Sequence, residues 1–377
     1  MKIAIPKEIE PGEGRVAATP ETVKKMVAAG FAVTLEAGAG EGSALADSEF
    51  ETAGTKVVSN LSSLYAEAEI VLKVRGPIYN EKIDRHEADL LREGSILIGL
   101  LQAKTNPYLV SELAKRKVTA FSLDLVPRIA RAQKMDILTS QSNIAGYKAA
   151  IMAAERLKRM MPLMMTAAGT ITPAKVLILG AGVAGLQAIA TTKRLGAVVE
   201  AFDTRSVVKE QVESLGAKFL ALEIAAEETK GGYAQALSEK IERKERELIT
   251  QHVREADIVI TTALIPGKPA PLLITEEAVR GMSEGSVIID LAAEQGGNCA
   301  LTKKGREVVK YGVTVVGLVN LPSLVATDAS RLYARNLMNF LFELCPKGQL
   351  QINLQDEVIR QTLVTYEGKV LIGKEPG

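Results

Sequence analysis

Short aliphatic and β-branched runs alternate with amphipathic segments through the first third of the chain: Ile3–Ile5, Val23–Ala29, Ala32–Glu36, Ile70–Lys73, Ile96–Leu101, Leu109–Arg116 and Val118–Phe121. This is the rhythm of parallel strands covered by helices. Around Leu125–Tyr147 the pattern breaks into a polar stretch and then turns helical through Lys148–Met160, so a domain junction is expected there. Past Thr172-Pro173 a second, cleaner series offers six strands: Val176–Leu179, Val198–Phe202, Phe219–Leu222, Ile258–Thr262, Val287–Asp290 and Val313–Gly317. Six strands with helices between them is the count of a complete doubly wound sheet. The highly charged Lys240–Glu255 keeps Ile241, Leu248, Ile249 and Val253 near helical spacing and reads as a helix with a solvated face. A helix-like Ala329–Glu343 and strand-like Val364–Tyr366 and Val370–Ile372 are expected, by fold analogy, to return to the first domain.

Composition narrows the function. With 377 residues the chain is long enough for two to three domains, and 46 basic against 45 acidic residues leave a formal charge of +1. A protein that neutralises phosphates carries a basic excess, so no nucleic-acid partner is expected. Two cysteines (Cys299, Cys345) and two histidines (His86, His252) are too few and too scattered for a disulfide framework, a metal site or a Cys/His nucleophile pair. Catalysis must lean on a cofactor. The start, Met1–Glu8, lacks the apolar core of a signal peptide, and the longest uncharged runs, Val176–Thr192 and Tyr311–Thr327, are broken by Gly or Pro. A cytoplasmic location is expected, with any membrane attachment made through a partner.

That cofactor has a candidate site. Gly180-Ala181-Gly182-Val183-Ala184-Gly185 follows the apolar Lys175–Leu179 and opens the helical run Leu186–Leu195. A lone G-x-G-x-x-G is weak, but a strand before it and a helix after it form the context of a dinucleotide fingerprint. Gly180 suits the tight turn, Gly182 lets backbone amides approach a pyrophosphate, and Gly185 permits close packing of helix on strand. The helix N-terminus, with Ala181 and Val183 beside it, offers unpaired N–H groups and a positive dipole end to the phosphates.

Asp203 ends the second strand, eighteen residues after Gly185, where a carboxylate accepts from the adenosine ribose hydroxyls. It points to NAD(H), because the same charge repels a 2′-phosphate. Thr204 and Arg205 follow; Arg205 softens that repulsion, and it suits packing on adenine or plain solvation equally. After the fourth strand, Thr261–Pro271 places Ala263 and Leu264 where the nicotinamide half should lie, although its prolines and glycine also suit a rigid turn with no ligand. The expected fold is α/β, two Rossmann-like doubly wound parallel-sheet domains, the second binding NAD: residues 1–137 joined by 328–377, and residues 138–327.

Further motifs are more specific: P-K-E-I-E-P-G-E-G-R-V-A-A-T-P near the start, P-R-I-A-R-A-Q-K-M-D at 127–136, S-N-I-A-G-Y at 142–147, T-A-A-G-T at 166–170, G-G-Y at 231–233, T-T-A-L-I-P-G-K-P-A-P and I-I-D-L-A-A-E-Q-G-G-N at 288–298. On these, over essentially its whole length, the chain resembles the NAD(H)-binding component of proton-translocating nicotinamide nucleotide transhydrogenase, in the family that also includes alanine dehydrogenase. The resemblance implies hydride transfer from NADH to NADP+ held on an NADP(H)-binding beta subunit, coupled to proton movement through a membrane-spanning subunit. It also implies a homodimer, peripheral attachment to the cytoplasmic membrane through those partners, and activity only with them. Because the sequence ends at Gly377 without transmembrane helices, a free-standing α1-type subunit is expected.

Residue by residue, the resemblance assigns the loop with Arg128, Ile129, Ala130, Gln133, Lys134, Met135 and Asp136 to the nicotinamide side. Thr139 stands where close relatives carry Ser. Arg128, Gln133 and Asp136 suit such a role, since an amide can donate and accept to a carboxamide, a guanidinium is a fixed fork of donors, and a carboxylate can orient either. An Arg128–Asp136 ion pair that merely pins the loop is the plainer alternative. Lys230–Tyr233 resembles the family's mobile loop, with Gly232 and Tyr233 closing over nucleotide. Hydride exchange between two nicotinamides needs no general acid or base, which suits a chain so poor in His and Cys.

Alanine dehydrogenase is the enzymatic rival. Arg15 and Lys73 stand where that branch holds its carboxylate substrate, but both branches carry them. Gln102 aligns with the rival's substrate-site histidine and cannot titrate near neutral pH, and Glu294 replaces an aspartate. A redox-sensing binding module without chemistry is the third reading.

Overall fold

A computed structural model describes residues 1–221, 234–265 and 268–372. It divides into two units, residues 1–141 with 322–377 and residues 142–321. Among the described residues, the first unit is built on an eight-stranded sheet. Its strands β1 (Lys2–Ile5), β2 (Ala32–Glu36), β3 (Lys56–Val58) and β4 (Ile70–Arg75) come first. A small hairpin, β5 (Tyr79–Asn80) with β6 (Arg85–His86), precedes β7 (Ile96–Leu100) and β8 (Thr119–Ser122). The parallel order is β3-β2-β1-β4-β7-β8, the winding switching from one edge to the other between β1 and β4, and the C-terminal strands Leu363–Tyr366 and Lys369–Val370 extend it antiparallel beside β8. Central β7 is buried along its whole length, because helices cover both faces of a parallel sheet. In β4, buried from Ile70 to Val74, Lys73 is a charged residue among aliphatic neighbours.

The helix Ala326–Leu344 belongs to this unit through an apolar stripe that includes Ala329, Tyr333, Leu337, Leu341 and Leu344. Phe340 meets Phe121 with ring centroids 5.4 Å apart, and the Tyr333 hydroxyl donates to the Lys73 carbonyl at 2.7 Å. These contacts tie the end of the chain to its first strands.

In the second unit, β9 (Met164–Thr166) and β10 (Gly169–Ile171) make an exposed hairpin ahead of the main sheet. That sheet contains β11 (Lys175–Leu179), β12 (Val198–Phe202), β13 (Lys218–Phe219), β14 (Ile258–Thr261), β15 (Val287–Asp290), β16 (Glu307–Lys310) and β17 (Val313–Val316). Its order is β13-β12-β11-β14-β15-β17-β16, parallel except for β16. The switch point lies between β11 and β14, so their carboxyl ends border the crevice where open α/β sheets take ligands.

Two of the differences from the sequence expectation have a clear local cause. A helix runs from Ile137 to Arg156, so the polar stretch through Tyr147 is helical and the helix ends before Met160. Its Thr-Ser-Gln-Ser-Asn run has weak helix propensity, but Asp136 starts it by accepting both the Thr139 N–H at 2.9 Å and the Thr139 hydroxyl at 2.6 Å. Strand β16 is the second difference, since Glu307-Val-Val-Lys310 has only two apolar residues between charges. It pairs with β17 through Tyr311-Gly312, both at positive φ as a two-residue hairpin turn requires. Leu222, expected to end the third strand, lies outside the described residues.

Candidate functional site

The fingerprint glycines of the second unit have distinct geometric reasons. Gly180 takes φ +99°, and a Cβ there would lie 2.6 Å from the Thr262 hydroxyl. On Gly185 a Cβ would fall 1.9 Å from the Gly180 carbonyl oxygen, so the helix Val183–Arg194 can sit this close to β11 only with glycine at that position. A Cβ at Gly182 would meet no described atom within 4 Å. That open flank at the helix N-cap, beside orphan N–H groups of the first turn, fits a pyrophosphate. A third close approach comes from S-N-I-A-G-Y: on Gly146 a Cβ would lie 2.1 Å from the Ala184 carbonyl oxygen, which explains the glycine in a helix interior.

Asp203 stands at the end of β12, its side chain 7% exposed. One carboxylate oxygen accepts the Ala181 N–H at 2.8 Å; the other accepts the Arg205 N–H at 2.8 Å. The Arg205 guanidinium bridges both oxygens, Nε and Nη2 each at 3.0 Å. Burial alone would push this carboxyl up, but the Arg205 pair and the two backbone N–H groups outweigh it and hold it below its usual range. Arg205 is thus neither merely solvated nor stacked, but folded back onto its neighbour. Thr204 is exposed beside it.

At the end of β14, the Thr262 hydroxyl donates to the Gly180 carbonyl at 2.9 Å, joining this loop to the fingerprint. Leu264 is exposed. Ala263 has both backbone groups engaged by one side chain: Asn298 Oδ1 accepts its N–H at 3.1 Å and Asn298 Nδ2 donates to its carbonyl at 2.9 Å. Asn298 Nδ2 also holds the Pro271 carbonyl at 2.8 Å. Buried Asp290 supports this arrangement, accepting from the Thr261 hydroxyl at 2.9 Å, the Asn298 N–H at 2.8 Å and the Thr302 hydroxyl at 2.6 Å. Sequence reasoning assigns no individual role to Asp290 or Asn298. A carboxylate closing the apolar run Val287-Ile-Ile and two glycines before an Asn are the signal that could have found them. Gly232 and Tyr233 lie outside the described residues.

The second group of expected residues belongs to the first unit, on and around a short helical turn Ala130–Met135. Arg128, Ala130, Arg131, Gln133 and Lys134 are exposed, Ile129 is half-buried, and Met135 is fully buried in the core, which leaves its side chain no ligand to face. Asp136 is committed to Thr139, and no Arg128–Asp136 pair forms among the described residues. The loop is fixed otherwise. Asn336 and Asn339, three apart on the C-terminal helix, both donate to the Lys134 carbonyl at 2.9 Å. Arg131 bridges Glu343 at 2.6 Å and Asp356 at 2.8 Å. Gln133 and Arg128, both exposed, therefore stand out from an anchored turn.

Beneath the same unit lies a buried ionic cluster. Lys73 Nζ is 2.7 Å from Glu87 and 3.5 Å from Glu8, all three nearly or wholly buried. Arg15 is held bidentately by Glu13 at 2.8 and 2.6 Å and donates to Gln141 Oε1 at 2.8 Å. These cations already have partners within the chain. Gln102, at φ +49°, uses its N–H on Asp124. Burial pushes the Cys299 and Cys345 thiols up to about 11, so neither is a nucleophile at neutral pH.

Two family models match the chain: "Alanine dehydrogenase/PNT, N-terminal domain" over residues 4–145 and "Alanine dehydrogenase/PNT, C-terminal domain" over residues 149–373. The chain is 52% identical over 376 residues, 98% of each chain, to the first portion of NAD(P) transhydrogenase subunit alpha from Rhodospirillum rubrum. It is 29% identical, over 98% of this chain and 94% of the other, to "Alanine dehydrogenase" of Methanococcus maripaludis. Among solved structures, transhydrogenase from Sinorhizobium meliloti superimposes with a TM-score of 0.88 at 44% identity, covering 98% of this chain and 100% of that one.

Proposed function

The chain belongs to the alanine dehydrogenase/PNT family, and from that premise we propose that it is the NAD(H)-binding component of a proton-translocating transhydrogenase. The observation that carries this reading is the 52% identity, over 98% of both chains, to a transhydrogenase alpha subunit, against 29% to an alanine dehydrogenase. The fingerprint geometry fits the cofactor: a clear flank at Gly182, a tight Gly180–Gly185 approach and an ionised carboxylate at Asp203. Arg15 and Lys73, engaged by glutamates of the same chain, offer no comparable support for a carboxylate substrate.

On this reading Gly180–Gly185, Ala181 and Val183 hold the pyrophosphate, Asp203 serves the adenosine ribose with Thr204 and Arg205 lying beside it, and Ala263 and Leu264 border the nicotinamide. Arg128, Gln133 and Asp136 are assigned to nicotinamide orientation. Bound NADH supplies the hydride; NADP+ is held by a beta subunit, and protons cross through a membrane-spanning subunit. No helix among the described residues is long and apolar enough to cross a membrane, so peripheral attachment through these partners completes the proposal.

Fluorescence titration with NADH and NADPH tests the cofactor assignment. The native chain is expected to prefer NADH, and Asp203→Ala to lose about 1–3 kcal/mol of that discrimination, from lost hydrogen bonds and relieved charge repulsion. Equal affinity of the native chain for both nucleotides overturns the role of Asp203.

We propose further that the subunit works as a homodimer, supported by the hairpin β9–β10. Residues 160–174 contain no charge, and Met165, 75% exposed, stands out with Leu163 and Ile171. A two-stranded hairpin is marginal in water without a covering surface, and apolar side chains held out on it mark a contact. Met165→Lys combined with Ile171→Lys should convert a dimer to a monomer in sedimentation velocity at unchanged NADH affinity. A native chain that sediments as a monomer removes this part of the proposal.

A further inference from the structure

The cofactor reading gives Asp203 a ribose to bind, yet its carboxylate is already saturated. Each oxygen holds one backbone N–H, from Ala181 or from Arg205, and one guanidinium N–H, from Nη2 or Nε of Arg205. The backbone donors are set by the glycine turn and by the strand end. The guanidinium is different in kind, since its side chain is 59% exposed and hangs on the carboxylate from the solvent side. An ionised carboxylate has about four acceptor positions, and here four donors fill them. A ribose diol that bridges the two oxygens needs the same two positions that Nε and Nη2 now occupy.

We propose that Arg205 is a specificity-determining residue that acts as an internal stand-in for the adenosine ribose, covering Asp203 until nucleotide displaces it. The inference rests on the NAD(H) reading and deepens it. Two consequences oppose each other. For NADH, Arg205 is a competitor, because the diol can dock only after the ion pair opens. For NADPH, the same guanidinium is an ally, because once released from Asp203 it lies beside the ribose edge and can take a 2′-phosphate that Asp203 alone would repel. Arg205 thus narrows the discrimination that Asp203 sets.

The test is an equilibrium titration of the native chain and of Arg205→Ala with NADH and with NADPH, at one ionic strength. Arg205→Ala is expected to bind NADH about two- to fivefold more tightly, the range that opening an exposed ion pair spans, and to bind NADPH more weakly. The ratio of the two affinities should therefore widen by about tenfold. Arg205→Lys, which keeps the charge without the fork, should retain part of the NADPH tolerance. NADH affinity that falls, or stays unchanged, in Arg205→Ala overturns the stand-in role and makes Arg205 a ligand contact or a bystander. Failure of the native chain to bind NADH at all overturns the cofactor reading, and this inference with it, and is distinguishable because it is seen before any variant is made.

Discussion

Mixed alone with NADH and NADP+, the chain is expected to exchange no hydride; with an NADP(H)-binding partner present it should, and Gln133→Ala should slow that transfer by about two orders of magnitude while leaving NADH affinity within a few-fold. The sequence holds one complete dinucleotide fingerprint, at Gly180–Gly185, and neither thiol is available for nucleophilic chemistry. Hydride transfer needs donor and acceptor carbons in near-attack contact, so the second nicotinamide must come from another surface, and small errors of orientation are expensive in rate. Gln133 is exposed on a turn whose neighbours are tied down through the Lys134 carbonyl and Arg131, so its amide is presented from a fixed base. Removing an exposed side chain leaves that base intact. Stopped-flow absorbance with the partner measures transfer, and titration without it measures binding. An unchanged transfer rate removes Gln133 from its role; robust exchange by the lone chain removes the need for a partner; alanine-dependent NAD+ reduction places the chain in the other branch of the family.

Much of the fold was legible because its signals are local. Aliphatic runs such as Val176–Leu179 and Val287–Asp290 are strands because a parallel sheet covered on both faces tolerates little else. The glycines were legible for the same reason: a turn at φ +99° and a helix so close that a Cβ would sit 1.9 Å from a carbonyl oxygen leave a mark in sequence that few other residues could satisfy. What escaped was decided by side-chain contacts. Helix Ile137–Arg156 begins in a polar run because Asp136 caps it, and β16 exists because Tyr311-Gly312 turns it back on β17. The Asn298 clamp on Ala263 joins residues far apart in sequence, and so does the pair of asparagines under Lys134. Neither could be read from spacing. The Arg205–Asp203 pair lies two residues apart, but a choice among water, adenine and a neighbouring carboxylate is a matter of rotamer, which sequence does not encode.

Lys73→Met should destabilise the first unit by about 3–5 kcal/mol near pH 8, and by distinctly less near pH 5. Lys73 sits in the middle of β4, 1% exposed, with its ammonium between Glu87 and Glu8. Burial would lower its pKa, but the two carboxylates outweigh that and keep it charged. Glu87 also accepts the Ile78 N–H at 3.0 Å and Glu8 the Val74 N–H at 2.6 Å, so neither carboxylate can leave with the lysine. Methionine fills the space and strands two buried negative charges. The pH response of Glu8 fixes the sign. Desolvation pushes Glu8 up to about 6 from the ordinary 4.5, even with Lys73 opposing it. The folded state therefore binds this proton more tightly than the unfolded chain, and its contribution, present in full below 4.5, is lost as pH rises through about 6. Without Lys73 the folded pKa climbs further and the loss extends to higher pH, so the gap between native and variant widens from pH 5 to pH 8. Urea unfolding of both proteins at pH 5, 6.5 and 8 measures that gap. A gap that stays constant across the range would mean that Lys73 contributes packing rather than charge, and that the cluster around Glu8 and Glu87 does not depend on its ammonium.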